Sequence, residues 1–277
     1  MAESILEAVV DAVKTLPFLF VAYLLIEYIE HHMQNVSVQK LLRKRKASVC
    51  IASVLGAVPQ CGFSVTASNL YATHLISVGT LLAVFLATSD EAVPILMAEP
   101  KLWTVMAGIL VLKVLIGLVA GLLVDMFWKG NHHDPDFYDV CGHCHCEEEK
   151  GIVKPALLHT VKMFGFLLVI NLILGIMMDI SSDAVIRTLF LHGSVFQPFV
   201  AALVGLIPNC GPSVALTQLY VQQQISFGSL VAGLCSGAGL GTAVLFKVNQ
   251  DKKENIMIVL LLYGIAVVTG LVLNLSL

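Results

Sequence analysis

The densest chemistry in the chain lies in one short polar stretch. Residues 131–149 read NHHDPDFYDVCGHCHCEEE. Cys141 and Cys144 form a C-x-x-C pair, Cys146 follows, and His143 and His145 alternate with them. His132 and His133 precede the group among Asp134, Asp136 and Asp139, and Glu147, Glu148 and Glu149 close it. Imidazole and thiolate at this density suit Zn²⁺ and other transition metals. Three close thiolates also suit trivalent arsenic, which is thiophilic. The stretch is too short and irregular for a folded zinc finger. It reads as a labile site for a Zn-like ion, with no cofactor required elsewhere. The bland alternative is a solvated polar loop.

A second group is spread over two matching words, Pro59-Gln60-Cys61-Gly62-Phe63-Ser64 and Pro208-Asn209-Cys210-Gly211-Pro212-Ser213. Proline removes a backbone donor and glycine loosens the chain, which predicts helix breaks at 59–62 and 208–212. Broken ends free amides and carbonyls that survive at membrane depth only inside protein or beside a cavity. Cys61 and Cys210 would face one site with Gln60, Ser64, Asn209 and Ser213 as polar neighbours. Thiolates there would select soft ions. Against this, each cysteine alone could be a small packing residue.

A third group is acidic. Ser89-Asp90-Glu91 interrupts the apolar run 76–98, and adjacent acids at depth are expensive enough to imply a use. Asp90 or Glu91 could exchange a proton or a cation, with Lys113 as a partner. Lys113 lies about 15 Å from either end of run 103–128, although a headgroup-seeking lysine on a tilted helix is an equal reading.

The elements that must hold these groups follow from composition. Of 277 residues, 57% are hydrophobic and only 13% charged, whereas soluble domains carry about twice that charge. The net charge of −3 leaves no basic surface for nucleic acid. Glu3, Glu7 and Asp11 near the start argue against a cleaved signal peptide. Seven cysteines, three of them within six residues, do not form a disulfide framework. Apolar runs occur at 13–30, 47–75, 76–98 and 103–128, and again at 157–178, 185–224, 225–247 and 256–277. A helix needs about 20 such residues to span a bilayer.

Residues 55–98 align without gaps onto 204–247, an offset of 149 (208 − 59). Gly56, Pro59, Cys61, Tyr71, Ser77 and Gly79 all recur at that spacing. The reading is an all-α polytopic membrane protein. It comprises a first transmembrane repeat at 1–128, a linker at 129–154 and a second repeat at 155–277, each of five segments. Lys40, Arg43, Lys44, Arg45 and Lys46 assign the first loop to the cytoplasm, as do Lys247, Lys252 and Lys253 for the loop at 247–253. Each half then crosses an odd number of times, so the second is inverted, the linker is cytoplasmic and both termini are outside. Inverted repeats with interrupted helices are a common plan for secondary transporters. The expected location is the cell membrane.

These residues resemble the family of ten-helix heavy-metal exporters, whose members carry the labels arsenic efflux protein or manganese transporter. The resemblance rests on PQCGFS and PNCGPS, on ATSDEAVP aligned with GAGLGT, and on the His/Cys/acid-rich linker, and it covers nearly the whole chain. It implies efflux of a metal or metalloid.

The leading expectation is therefore a secondary exporter of a thiophilic metal or metalloid, proton-coupled through Asp90 or Glu91. No phosphate-binding Gly-Lys-Ser/Thr motif is present in the sequence. An uptake permease for Mn²⁺ is an alternative, because manganese prefers oxygen ligands. A membrane metal sensor or assembly factor is another, and an enzyme is not expected. The expected partners are the lipid bilayer and the metal or metalloid, with a homodimer allowed.

Overall fold

A computed structural model describes residues 45–58, 61–88, 92–98, 100–128, 196–209 and 211–276, with isolated positions at 20, 24 and between 153 and 169. Among the described residues every regular element is helical. In the first half these are α1 (Arg45–Gly56), α2 (Cys61–Ala72), α3 (Val78–Ala87), α4 (Ala92–Ala98) and α5 (Trp103–Phe127), with a 3₁₀ turn at Pro100–Leu102. In the second they are α6 (Gln197–Gly205), α7 (Gly211–Val221), α8 (Phe227–Ser236), α9 (Leu240–Val248) and α10 (Lys252–Ser276).

The ends of these helices recur at the spacing found in the sequence. Adding 149 to the bounds of α3 gives those of α8, and adding it to those of α5 gives those of α10. The local causes recur too. Ser77 and Ser226 are N-caps whose side chains accept from the amides of Thr80 and Ser229, satisfying a donor that a helix start leaves bare. Helices α2 and α7 end alike. His74 N–H donates to the Tyr71 carbonyl and Leu75 N–H to that of Leu70; Gln223 and Gln224 do the same to Tyr220 and Leu219. This is a Schellman turn, which needs a left-handed residue. His74 (φ 57°) and Gln223 (φ 59°) supply it although neither is glycine.

The core is built on α3 and α8. All ten residues of α3 are buried, as are nine of the ten in α8. Helix α3 packs against α1 and α5, and α8 against α6 and α10. Close approach needs small residues where no water drives apolar faces together. A Cβ on Gly79 would lie 2.2 Å from the Gly121 carbonyl oxygen, and one on Gly228 would lie 2.4 Å from that of Gly270. The halves then exchange elements reciprocally: α2 packs on α9, and α7 on α4. Tyr71 of α2 faces Glu254 of α10 across the same boundary.

Among the described residues three stretches are long and apolar enough to cross a membrane: Pro100–Phe127, Phe227–Val248 and Lys252–Ser276. Only 28% of the first and third is buried against 83% of the second, so α5 and α10 form the outer wall. Val111, Leu115, Val119 and Leu123 on α5, and Ile256, Leu260, Val268 and Val272 on α10, keep exposed apolar stripes at four-residue multiples. Such a stripe suits lipid and not water. By contrast α1 and α2, of 12 residues each, extend only about 18 Å, well short of the ~30 Å hydrocarbon core.

Candidate functional site

Three helix ends and two helix starts converge at one place in the core. Helix α3 ends at Thr88, whose N–H and Oγ1 both donate to the Val84 carbonyl. Helix α8 ends at Gly237, whose N–H donates to the Gly233 carbonyl. Helix α6 ends at Gly205, and the chain runs through Asn209 before α7 begins at Gly211. Helix α9 starts after Gly239, whose backbone (φ 55°, ψ −137°) lies in a region open to glycine and strained for other residues. Between these ends lies a small cavity of about 10 Å³, room for about one water-sized sphere, lined among others by Thr88, Asn209, Ser213, Leu234, Gly237 and Gly239.

This cavity is formed by backbone as much as by side chains. Its lining includes the glycines Gly205, Gly233, Gly237 and Gly239, and the polar residues Thr88, Asn209 and Ser213. Thr88 comes from the first half and the other lining residues named come from the second. Thr88 and Gly237 occupy equivalent positions in the two halves (237 − 88 = 149), so the cavity sits where the halves meet.

Lys113 stands behind this wall. It lies within α5, is fully buried, and its Nζ donates to the carbonyl oxygens of Thr88 and Leu234. It therefore does not reach towards a headgroup. Its ammonium is held at the ends of α3 and α8, where the helix dipole favours positive charge.

Of the residues singled out by sequence, Asn209 and Ser213 line the cavity. Ser64 does not share that lining: it is fully buried in α2, and its Cβ would lie 2.7 Å from a Cβ on Gly241 of α9. Its carbonyl accepts from Ser68 Oγ at 2.9 Å, and Ser68 Oγ also donates to the Gly241 carbonyl at 2.7 Å. Gly62 and Gly211 fall within the first turns of α2 and α7. Helices α1 and α6 stop at Gly56 and Gly205, three residues before the expected breaks begin. Pro212 lies in the first turn of α7, where its missing N–H costs nothing. Cys61 opens α2, but its side chain lies outside the described residues, as do Pro59, Gln60 and Cys210 in full. Asp90 and Glu91 also lie outside, as does the linker with His132, His133, Cys141, His143, Cys144, His145 and Cys146. Among the described residues no three His, Cys, Asp or Glu side chains gather to hold a metal.

Sequence reasoning missed Thr88 and Gly205 as lining residues. Their signals were present: Thr88 precedes the acidic pair, and Gly205 repeats Gly56. It also missed Asp125, whose carboxylate accepts from Ser77 Oγ at 2.7 Å and from Gly79 N–H at 3.0 Å and so anchors the start of α3.

Neither the curated proteins nor the solved structures contain a match to this chain. A family model described as "Putative, 10TM heavy-metal exporter" matches residues 1–192 and 180–276. With its membrane-capable helices, the chain is a multi-pass membrane protein, and it belongs to this ten-helix heavy-metal exporter family.

Proposed function

We propose that the chain is a secondary exporter of a thiophilic metal or metalloid, an arsenic species or a soft transition-metal cation, built from two inverted halves. The observation that carries this reading is the cavity at the meeting of helix ends from both halves, lined by Thr88, Asn209 and Ser213. Interrupted helices around a central site are how carriers expose one site to either side in turn. The reciprocal packing of α2 on α9 and α7 on α4 is what a two-fold relation between halves produces. With an odd number of crossings per half, that relation inverts the second. Helices α1 and α2, each too short to span, would then approach the midplane from one side, and α6 and α7 from the other.

In this reading Cys61 and Cys210 ligate the solute beside Gln60, Asn209 and Ser213, and Asp90 or Glu91 carries the coupling proton. The linker's Cys141, His143, Cys144, His145 and Cys146, with His132 and His133, gather the metal on the cytoplasmic side before export. Protonation of a carboxylate near the site would be linked to occupancy, and so to which side is open. A Mn²⁺ carrier is the second reading, because the oxygen groups of Thr88, Asn209 and Ser213 suit a hard ion.

The test is transport by variants in vesicles. Cys61→Ser and Cys210→Ser should each weaken affinity for arsenite or Zn²⁺ by about tenfold or more. Asp90→Asn or Glu91→Gln should keep binding and abolish the dependence of transport on pH. Parental rates and substrate preference in both cysteine variants would shift the assignment to the oxygen-ligand reading.

A further inference from the structure

The contacts of Lys113 cross the boundary between the halves. Thr88 terminates α3 of the first half, and Leu234 lies in the last turn of α8 of the second. In a continuing helix the Leu234 carbonyl would accept from the amide of Ala238. That amide donates instead to the Ser236 carbonyl at 3.0 Å. The break at Gly237 therefore releases the Leu234 oxygen, and the Lys113 ammonium takes it, with the Thr88 oxygen as its second acceptor.

Two helix C-termini facing one point concentrate partial negative charge there. Carbonyl oxygens freed at such half-helix ends are the ligands with which ion-coupled carriers hold a free monovalent cation. Here the position is filled by a side chain of the chain itself. The repeat-equivalent residue of α10 does not reproduce the device: it is Leu262, a fully buried aliphatic (262 − 113 = 149).

We propose that Lys113 is a tethered cation. It stands where a free alkali ion would otherwise sit, joins the ends of α3 and α8 across the two halves, and makes that junction independent of Na⁺. The role is set within the proposed transport cycle, in which parting of these ends would open the cavity. The junction itself is present whether or not the chain transports. Lys113 is thus a positioning residue and does not ligate the solute. Its aliphatic stem fills space in the core as well, so a test must separate charge from volume.

The full-length protein in detergent provides that test through its thermal midpoint, read in NaCl, LiCl, methylammonium chloride or N-methylglucamine chloride at equal ionic strength. The parent should melt at one temperature in all four. Lys113→Ala should melt on the order of 10 °C lower in N-methylglucamine. Na⁺, Li⁺ or methylammonium should restore about half of that loss or more. Lys113→Arg, which keeps the charge, should be insensitive to the salt. A Lys113→Ala protein as stable as the parent would overturn the proposal. So would one equally weakened in every salt, or a parent that itself requires Na⁺. If Lys113→Ala does not accumulate, Lys113→Arg decides: a folded, salt-insensitive protein supports a need for charge, and its loss means that shape alone is required. No solute is present, so a failure here leaves the export reading standing, and failure of the export reading leaves this junction untouched.

Discussion

The two halves share a scaffold and differ where charge is placed. Helices α3 and α8 begin and end at equivalent residues, start on equivalent serines, and carry the equivalent glycines Gly79 and Gly228 pressed against α5 and α10. At the positions that could do chemistry the likeness ends. In the sequence, Asp90, Glu91 and Lys113 of the first half correspond to Gly239, Leu240 and Leu262 of the second. Caps, turns and close approaches are set by backbone geometry, which both halves need alike. Under the proposed reading, a site shared by the two halves needs to be charged only once, and the second half supplies space at Gly239, whose φ is positive. The difference separates what holds the halves from what they hold.

The largest expected effect breaks or confirms the shared scaffold. Gly79→Ala and Gly228→Ala force a Cβ to within 2.2 and 2.3 Å of neighbouring oxygens. Each should cost about 3 kcal/mol of stability in detergent unfolding. A Cβ on Gly108 or Gly264 meets nothing within 4 Å, so alanine there should be neutral or stabilise by up to about 1 kcal/mol. Unequal losses at Gly79 and Gly228 would show that the two interfaces are not equivalent.

A smaller effect probes where the scaffolds diverge. Asp125→Ala removes the acceptor for Ser77 Oγ and Gly79 N–H and should cost about 2 kcal/mol. Asp125→Asn should cost less than about 1 kcal/mol, because the equivalent position is already Asn274, whose Oδ1 approaches Gly228 in the same way. If Asn were as damaging as Ala, the charge of Asp125 would matter beyond anchoring α3.

The smallest effect returns to symmetry. His74→Gly and Gln223→Gly relieve a left-handed side-chain residue at the cost of a more flexible unfolded chain. Both should stabilise by a similar amount, up to about 1 kcal/mol, read as matched upward shifts in the unfolding midpoint.

Much of the scaffold was legible in the sequence because its constraints are local. The 149-residue spacing, the apolar runs and the Ser77 and Ser226 caps are written in residue types. Helices α1 and α6 end three residues before Pro59 and Pro208, and Gly62, Gly211 and Pro212 fall in the first turns of α2 and α7, where glycine and proline are tolerated. The cavity was legible only in part. Asn209 and Ser213 sit in the matched words, but Thr88 and Leu234 act through backbone carbonyls, which carry no side-chain signature. The acceptors of Lys113 were hidden for the same reason: a lysine that caps two helix ends has the same sequence signal as one that seeks a carboxylate or a headgroup.

The central claim, export of a thiophilic solute, is tested most directly by solute uptake into inside-out vesicles holding the parental chain. The panel should include arsenite, organoarsenicals, Zn²⁺, Cu⁺ and Mn²⁺, each with and without a pH gradient. The account predicts gradient-driven accumulation of an arsenic species or a soft cation, with Mn²⁺ excluded. Accumulation of Mn²⁺ alone, or of no solute in the panel, would contradict it.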